Sequence, residues 1–427
     1  MRTQVAIIGG GPGGSSCAIH LAAHGIDSVI VEREEFPRFH IGESLTGGSA
    51  DLLRDMGLES DMLANGHPIK YGIKIYGPTG RVAWWIPIRT RGPDSDQPQR
   101  DTFSWQVRRS QFDDFLLCTA QTRGTTLLRG RAVAPLHSGG RVSGVEVELA
   151  DGSRTRIESD ILVDASGQQT FLCNAGLTGR KERGRYSRQI AVYSHFDGII
   201  RDPGKDAGNT LTYFREKHHW AWFIPLDERT TSIGLVVPGT YLRSRPETLV
   251  AFLERELREF HPELARRAAD ATRVEEVRAT SNYSYVISDF TGRGWLCVGD
   301  AHRFVDPLFS YGANITMMEA REAARTIRRY LDGELPDDDR PFREFEEFAG
   351  RGVEVAQTFL DGFWNTTLEF GFLMRRHEED FVDMFAGRMW NNEEYPAITE
   401  MRERLAEHYA QHPQDAPGAE EQVMTGP

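Results

Sequence analysis

Cysteine is scarce in this chain. Cys17, Cys118, Cys173 and Cys297 are the four among 427 residues. No two form a CxxC pair, so the spacing offers no zinc site and no metal is expected. Scattered cysteines fit a reducing compartment. Positive charge is also short: 50 Lys plus Arg face 63 Asp plus Glu, a net of −13. Such a body repels phosphate backbones, which argues against nucleic acid as a partner. Long apolar runs are missing. No stretch is long enough to span a bilayer, and the apolar run at residues 5–8 meets glycines at once, too short for a signal peptide. The expectation is a soluble, cytoplasmic protein with no membrane partner. There is no internal repeat and no second glycine-rich nucleotide motif.

A chain of this length suggests two or three domains. Residues 4–8 read as a short apolar strand. Residues 12–24 have helical spacing, with Ala18, Ile19, Leu21 and Ala22 available to a sheet, and 28–31 read as a second strand. Together these are the start of a β-α-β unit. Residues 49–56 and 110–122 also read as helices. The runs 69–76 and 81–88 flank Pro78-Thr79-Gly80 as a hairpin, and 91–100, polar with two prolines, read as a loop. Residues 133–163 alternate as a meander turning at Ala150-Asp151-Gly152, and 190–237 carry further strands, among them 191–196 and 220–224. Residues 246–260 read as a helix, 295–298 as a buried strand and 313–331 as a long helix. From Phe342 onward the pattern is helical. Phe359, Phe363, Trp364, Phe370, Phe372 and Leu373 form an aromatic stretch that is either core or pocket lining. Residues 413–427 are polar and acidic and read as a disordered tail.

Gly9, Gly11 and Gly14 form GxGxxG between the first strand and the helix. Gly9 permits the tight turn, Gly11 lets a pyrophosphate approach the backbone, and Gly14 lets helix and strand pack closely. The helix N-terminus, opened by Pro12, then presents partial positive charge to phosphates. Glu32 ends the second strand, 18 residues after Gly14, where its carboxylate can accept hydrogen bonds from a ribose diol. Arg33 is taken with it as a cofactor contact. In full strand-turn-helix-strand context, these residues point to a dinucleotide.

Later residues favour FAD over NAD. Gly299-Asp300 follow the strand at 295–298. Here the chain resembles the glutathione-reductase-like flavoproteins, in which a late Gly-Asp holds the ribityl chain of FAD. Val163-Asp164-Ala165-Ser166-Gly167 resembles that family's strand near the end of the cofactor domain. Arg109, after Gln106, stands where the family often carries an arginine against the cofactor. Two further motifs narrow the resemblance. Trp220-Ala221-Trp222-Phe223-Ile224-Pro225 is similar to the WxWxIP signature of flavin-dependent halogenases. Phe304-Val305-Asp306-Pro307-Leu308-Phe309-Ser310-Tyr311-Gly312 is similar to their FxxPxxSxG signature. Arg38-Phe39-His40-Ile41-Gly42-Glu43-Ser44 resembles the segment they set beside the cofactor. Gly42, Glu43, Ser44, Pro307, Gly312 and Ala313 are therefore expected FAD contacts. By motif order the resemblance covers roughly residues 1–330.

The resemblance implies a chemistry. FAD is used as FADH2, and with O2 and chloride or bromide it yields hypohalous acid. The halide would sit near the backbone of Tyr311 and Gly312, and Ser310 is taken with the catalytic residues. Trp220 and Trp222 would wall the flavin off from the organic substrate, which sequesters the oxidant. A lysine receives or hydrogen-bonds the hypohalous acid. Lys70, in His67-Pro68-Ile69-Lys70-Tyr71-Gly72, resembles the family's catalytic lysine segment. Lys74 is four residues on, which on one unbroken strand puts both on the same face; only the Lys-x-Gly context favours Lys70. Phe309 stands where tryptophan-type halogenases carry a glutamate, which argues against free tryptophan and towards a phenol, a pyrrole or a carrier-tethered ring. Tyr311, Ala313, Asn314 and Ile315 are larger or more polar than the family pattern. For a phenol, Glu319, His67 and Glu43 are candidate bases.

The implied partners are a separate flavin reductase and a small aromatic substrate or an acyl or peptidyl carrier protein bearing it; a homodimer is left open. Other readings predict different behaviour. A single-component flavin hydroxylase would oxidise NAD(P)H alone, stimulated by substrate. A geranylgeranyl-reductase-like flavin oxidoreductase would turn over without oxygen, and a non-catalytic FAD-binding regulator would not turn over at all. The expected fold is α/β. Residues 1–68, 105–188 and 275–335 would build a discontinuous Rossmann-like FAD domain, and 69–104 and 189–274 an interleaved mixed-sheet substrate domain. Residues 336–412 would form a helical C-terminal part.

Overall fold

The computed structural model describes residues 1–90, 99–184, 188–282, 284–336, 338–390 and 394–417. The strand Arg2–Ile8 is buried from Val5 onward, as a parallel strand covered on both faces must be. It runs parallel to Ser28–Glu32 on one side and to Arg154–Asp164 on the other. The latter strand, 11 residues long, is long enough to take two partners along its other edge. Its first half pairs antiparallel with Arg141–Glu148, and its last three residues pair parallel with Trp295–Cys297. Arg131–Ser138 extends the sheet beyond Arg141–Glu148, so the expected meander is part of this sheet.

Register places the site. Ile8 lies opposite Asp164, and Asp164 opposite Cys297. The carboxyl ends of these three strands therefore finish side by side, where ligands bind in open parallel sheets. Gly9, Ala165 and Gly299 follow at that edge. The helices Pro12–Ala23 and Tyr311–Leu331 pack together, and Pro12–Ala23 also contacts Arg109–Thr122.

A second sheet runs in the order Thr272–Arg273, Gln189–Asp197, Thr231–Pro238, His219–Pro225, Thr210–Glu216, Gly72–Tyr76, Val82–Pro87. Strand alternation divides its side chains between two cores. Ala221 and Phe223 face a cluster with Phe252, Leu253 and Leu264 of the helices Leu249–Glu259 and Pro262–Arg267. Trp220, Trp222 and Ile224 face the C-terminal helices, among them Arg343–Asn365, Thr367–Arg376 and Glu378–Phe385.

The aromatic stretch in those helices is core for the most part. Phe359, Phe363, Phe370 and Phe385 pack in tilted and edge-to-face pairs with centroids 5.0–6.4 Å apart. Phe372 differs: it is 70% exposed, on the outer side of its helix. The 91–100 loop falls mostly outside the described residues, and Arg100–Asp101 pairs with Arg89–Thr90 as a short strand. The tail begins with a helical turn, Pro413–Asp415, held by His408 to Asp415 at 2.9 Å; residues 418–427 lie outside the described residues. No helix among the described residues is long and apolar enough to cross a membrane.

Candidate active site

The glycine-rich turn has the geometry its sequence requires. Gly9 has φ +98°, and a Cβ there would stand 2.5 Å from the Ala165 carbonyl oxygen. A Cβ on Gly14 would stand 1.9 Å from the Gly9 oxygen, so strand and helix meet only because both lack side chains. No side chain caps the helix Pro12–Ala23 and no acid lies in its first turn, which leaves its first amides free for an anion. Glu32 is buried. Its Oε2 accepts from the Gly10 amide at 2.7 Å and its Oε1 from the Glu34 amide at 2.8 Å. The acid thus also fastens the turn, while its remaining lone pairs can meet a ribose. Arg33 is exposed and pairs only with Glu34 among the described residues.

Asp300 follows Gly299 at the end of the third strand. Its carboxyl has no hydrogen-bond partner among the described residues, and burial pushes it up to about 7, opposed by Arg109. An unpartnered carboxyl in that position suits a ribityl hydroxyl. Gly299 itself has φ +60°, and its amide donates to Glu319 Oε2 at 2.7 Å. The same oxygen is 2.9 Å from His302 Nε2, whose ring stacks on Phe290. Arg109 is held by Asp113 and donates to the Ile41 carbonyl at 2.6 Å. A Cβ on Gly42, φ +99°, would stand 2.9 Å from its Nη1, so arginine and glycine set the path of the 41–44 loop together. Burial raises the Asp164 carboxyl, which accepts from the amides of Ser166 and Leu172 and shapes the turn after its strand. Arg38, which opens the 38–44 segment but was not among the expected cofactor contacts, bonds Asp113 at 3.1 Å, and its guanidinium reaches the space beside Gly11. These residues fit FAD: a free helix N-terminus for the pyrophosphate, Glu32 for the ribose and Asp300 for the ribityl chain.

The two candidate lysines do not share a face. The strand breaks at Tyr71, because the amides of Tyr71 and Gly72 both donate to the Asn209 side chain, at 2.8 and 2.9 Å, rather than to a neighbouring strand. Lys70 therefore pairs with Ser104 in a separate two-stranded ladder, while Lys74 belongs to the large sheet. Lys74 is bound by Asp202 and Asp206 at 2.7 and 2.9 Å. Lys70 is buried, and its Nζ donates to Ser44 Oγ at 2.8 Å and to the Leu45 carbonyl at 3.0 Å. Burial alone brings its amine down to about 7. Ser44, expected as a cofactor contact, is thus a partner of the lysine. It stands 2.9 Å from Thr210 Oγ1, which accepts from Gln106 Nε2 at 2.8 Å. Thr210 and Gln106 carry no motif and were not visible in the sequence as site residues.

Thr210 lines a cleft of about 10 Å³, whose walls include Ile73, Phe214, Phe309, Ser310 and Phe385. That volume holds about one water. Ser310 has the left-handed φ of +60° and leaves the helix Tyr311–Leu331 without a side-chain cap. The amides of Tyr311, Gly312 and Ala313 thus begin a 21-residue helix, a favourable environment for an anion. Gly312 is exposed, and Pro307 opens the short turn before Ser310. Trp220 and Trp222 are buried with ring centroids 6.0 Å apart, and Trp222 donates to Ser232 at 3.1 Å. A Cβ on Gly234 would stand 2.1 Å from the Trp222 ring, so the neighbouring strand makes room for that indole. Phe309 sits among Phe359, Phe363 and Phe385, 5.0–5.4 Å away.

Among the described residues none of the three candidate bases hydrogen-bonds Lys70 or lines the cleft. Glu319 serves Gly299 and His302, and burial lowers His67 to about 4. Glu43 pairs with His195 at 2.9 Å, its Oε2 buried without a hydrogen-bond partner among the described residues.

A model of the FAD binding domain family matches residues 2–338. The chain is 34% identical over 407 residues to the 1H-pyrrole-2-carbonyl peptidyl-carrier protein brominase of Pseudoalteromonas luteoviolacea, covering 95% of this chain and 97% of that one. It is 26% identical over 426 residues to the corresponding chlorinase of Pseudomonas fluorescens, covering 94% and 93%. The solved flavin-dependent brominase Bmp2 superposes with a TM-score of 0.88 at 33% identity, over 96% of this chain and 100% of that one.

Proposed function

The chain belongs to the flavin-dependent halogenases of the FAD-binding domain family, and from that premise we propose that it halogenates a pyrrole-2-carbonyl group tethered to a carrier protein, with Lys70 as the catalytic lysine. When bound, reduced FAD and O2 supply hypohalous acid from halide. The observation that carries the reading is the placement of Lys70. It is buried, has no carboxylate partner among the described residues, and connects through Ser44 and Thr210 to the cleft that Ser310 and Phe309 also line. An amine near 7 can hold or release its proton at neutral pH, which general acid-base work requires. Lys74, fixed between two aspartates, has neither freedom.

Around that amine the chain's own residues bind, orient and exclude. The turn at Gly9–Gly14, Glu32 and Asp300 hold the cofactor, with Pro12, Gly42, Arg109, Pro307 and Ala313 shaping its surroundings. The free amides at Tyr311 and Gly312 hold the halide. Trp220 and Trp222 separate the flavin from the ring, so the oxidant and not the flavin meets the substrate. The names of the two carrier-protein relatives and the apolar Phe309 support a tethered pyrrole over free tryptophan. A separate flavin reductase supplies FADH2, since the sequence holds one nucleotide motif.

The test is mass spectrometry of a pyrrole-2-carbonyl carrier protein incubated with the enzyme, FAD, a flavin reductase, NADH, O2 and bromide, beside Lys70→Met. A bromine isotope pattern that the variant loses supports both substrate and lysine. Bromination of free pyrroles or phenols with none of the tethered ring overturns the substrate. Oxygen insertion overturns halogenation, and full activity in the variant removes Lys70.

A further inference from the structure

The hydrogen bonds around Lys70 allow few arrangements. Gln106 Nε2 faces both the Gly208 carbonyl, at 3.0 Å, and Thr210 Oγ1, at 2.8 Å. Only the amide N–H₂ can face a carbonyl, so this side chain has one orientation and always donates to Thr210. The Thr210 proton is thereby turned away from Gln106 and has two destinations, Ser44 Oγ or the cleft that Thr210 lines. Ser44 Oγ, 2.9 Å from Thr210 and 2.8 Å from Lys70 Nζ, likewise donates either to Thr210 or to a neutral Lys70. The lysine does not line the cleft.

The direction of this chain follows the charge on the lysine. With an ammonium, Lys70 donates to Ser44, Ser44 to Thr210, and Thr210 into the cleft. With a neutral amine every donor reverses: Thr210 donates to Ser44, and Ser44 to Nζ. The two states differ by one proton moved between Lys70 and the cleft through three short hops.

We propose that Ser44 and Thr210 form a proton relay between the buried Lys70 and the cleft, with Gln106 as the positioning residue that aligns it. The proposal rests on Lys70 as the catalytic lysine. In the reaction the halogen–oxygen bond of hypohalous acid breaks with its electron pair on oxygen, and a ring π pair forms the carbon–halogen bond. The departing hydroxide takes the Thr210 proton and becomes water, Ser44 reprotonates Thr210, and Lys70 reprotonates Ser44. The ring C–H pair returns to the π system, and its proton passes back along the chain to the neutral amine. The serine and threonine hydroxyls do what a carboxylate beside the lysine would do, without placing a second charge in an apolar site.

The experiment compares Thr210→Val, Thr210→Ser and Lys70→Met in two measurements. Exchange of the Lys70 Nζ protons with water, followed by NMR on protein carrying isotopically labelled lysine, needs no turnover. It should slow on the order of tenfold or more in Thr210→Val and recover in Thr210→Ser. Bromination of the pyrrole-2-carbonyl carrier protein should lose roughly tenfold to a hundredfold in kcat in Thr210→Val, with KM little changed and kcat recovered in Thr210→Ser. Unaltered proton exchange in Thr210→Val overturns the relay. So does an equal loss in Thr210→Val and Thr210→Ser, which would show that packing is responsible. Full bromination by Lys70→Met instead overturns the lysine assignment, so the two failures are separate results.

Discussion

The Tyr311 hydroxyl donates to the Met384 carbonyl at 2.9 Å across 73 residues of sequence. Asn314 Nδ2 donates to the Gly387 carbonyl at 2.7 Å, and the Gly48 amide to the Ala386 carbonyl at 2.6 Å. The end of the helix Glu378–Phe385 is thus fastened to the first turn of Tyr311–Leu331 and to the helix Gly47–Asp55. The size of Tyr311 and the polarity of Asn314, where the chain departs from the family pattern, face the C-terminal helices and attach them over the cleft.

Tyr311→Phe removes one donor to the Met384 carbonyl, which keeps the Gly387 amide at 2.9 Å. The net loss of one such hydrogen bond costs about 0.5–1.5 kcal/mol. Urea unfolding should show a loss in that range, with the Tyr311 backbone, and so the helix start, unchanged. Wild-type stability in the variant would mean that the clamp is solvated or dispensable.

Lys70 makes stability depend on alkaline pH. Burial lowers its amine from 10.5 to about 7, so between those values the unfolded chain binds more protons than the folded one. Stability from this group therefore rises with pH across that window and is complete above 10.5; below about 7 the full burial penalty applies. The span corresponds to an upper limit of roughly 5 kcal/mol. Denaturation of wild type against Lys70→Met should show the difference between them shrinking from pH 7 to 10. Parallel pH curves would contradict a depressed lysine.

Gly234→Ala places a methyl group against the Trp222 indole. The ring is packed between Trp220 and Tyr193, so it has little room to yield. Overpacking of this kind costs about 1–3 kcal/mol. The expected result is a lower melting temperature together with more hypohalous acid escaping to solution, read with a phenol-red trap. If leakage is unchanged while stability falls, Trp222 is a core residue and not part of the partition.

Glu32→Ala removes the acceptor of the Gly10 and Glu34 amides as well as the ribose contact. Titration of FAD by flavin fluorescence should show at least tenfold weaker binding, about 1.4 kcal/mol. Glu32→Gln, which keeps an acceptor oxygen but loses the charge, should fall between. Unchanged affinity would place the ribose elsewhere.

The parts of this protein legible in the sequence are those set by short-range geometry. GxGxxG, Glu32, Gly299-Asp300 and the two aromatic and proline signatures each lie within one turn or strand end, where spacing alone decides what a backbone can do. The helix Pro12–Ala23 and the strands around it follow from the same local periodicity. The cofactor and the halogenase family followed from these.

Other features were decided only by tertiary structure. Lys70 and Lys74 look equivalent on a single strand. They part because Asn209, from a distant loop, takes the amides at Tyr71 and Gly72 and ends the first ladder. Asp202 and Asp206, 128 and 132 residues away in sequence, then claim Lys74, while Ser44 and Leu45 close over Lys70. Ser44, Gln106 and Thr210 belong to three separated segments, and no spacing links them. Hydrogen bonding and desolvation act through space over a few ångströms. The sequence by itself therefore determined what could be bound and the class of chemistry, and the fold decided which amine is buried and what stands beside it.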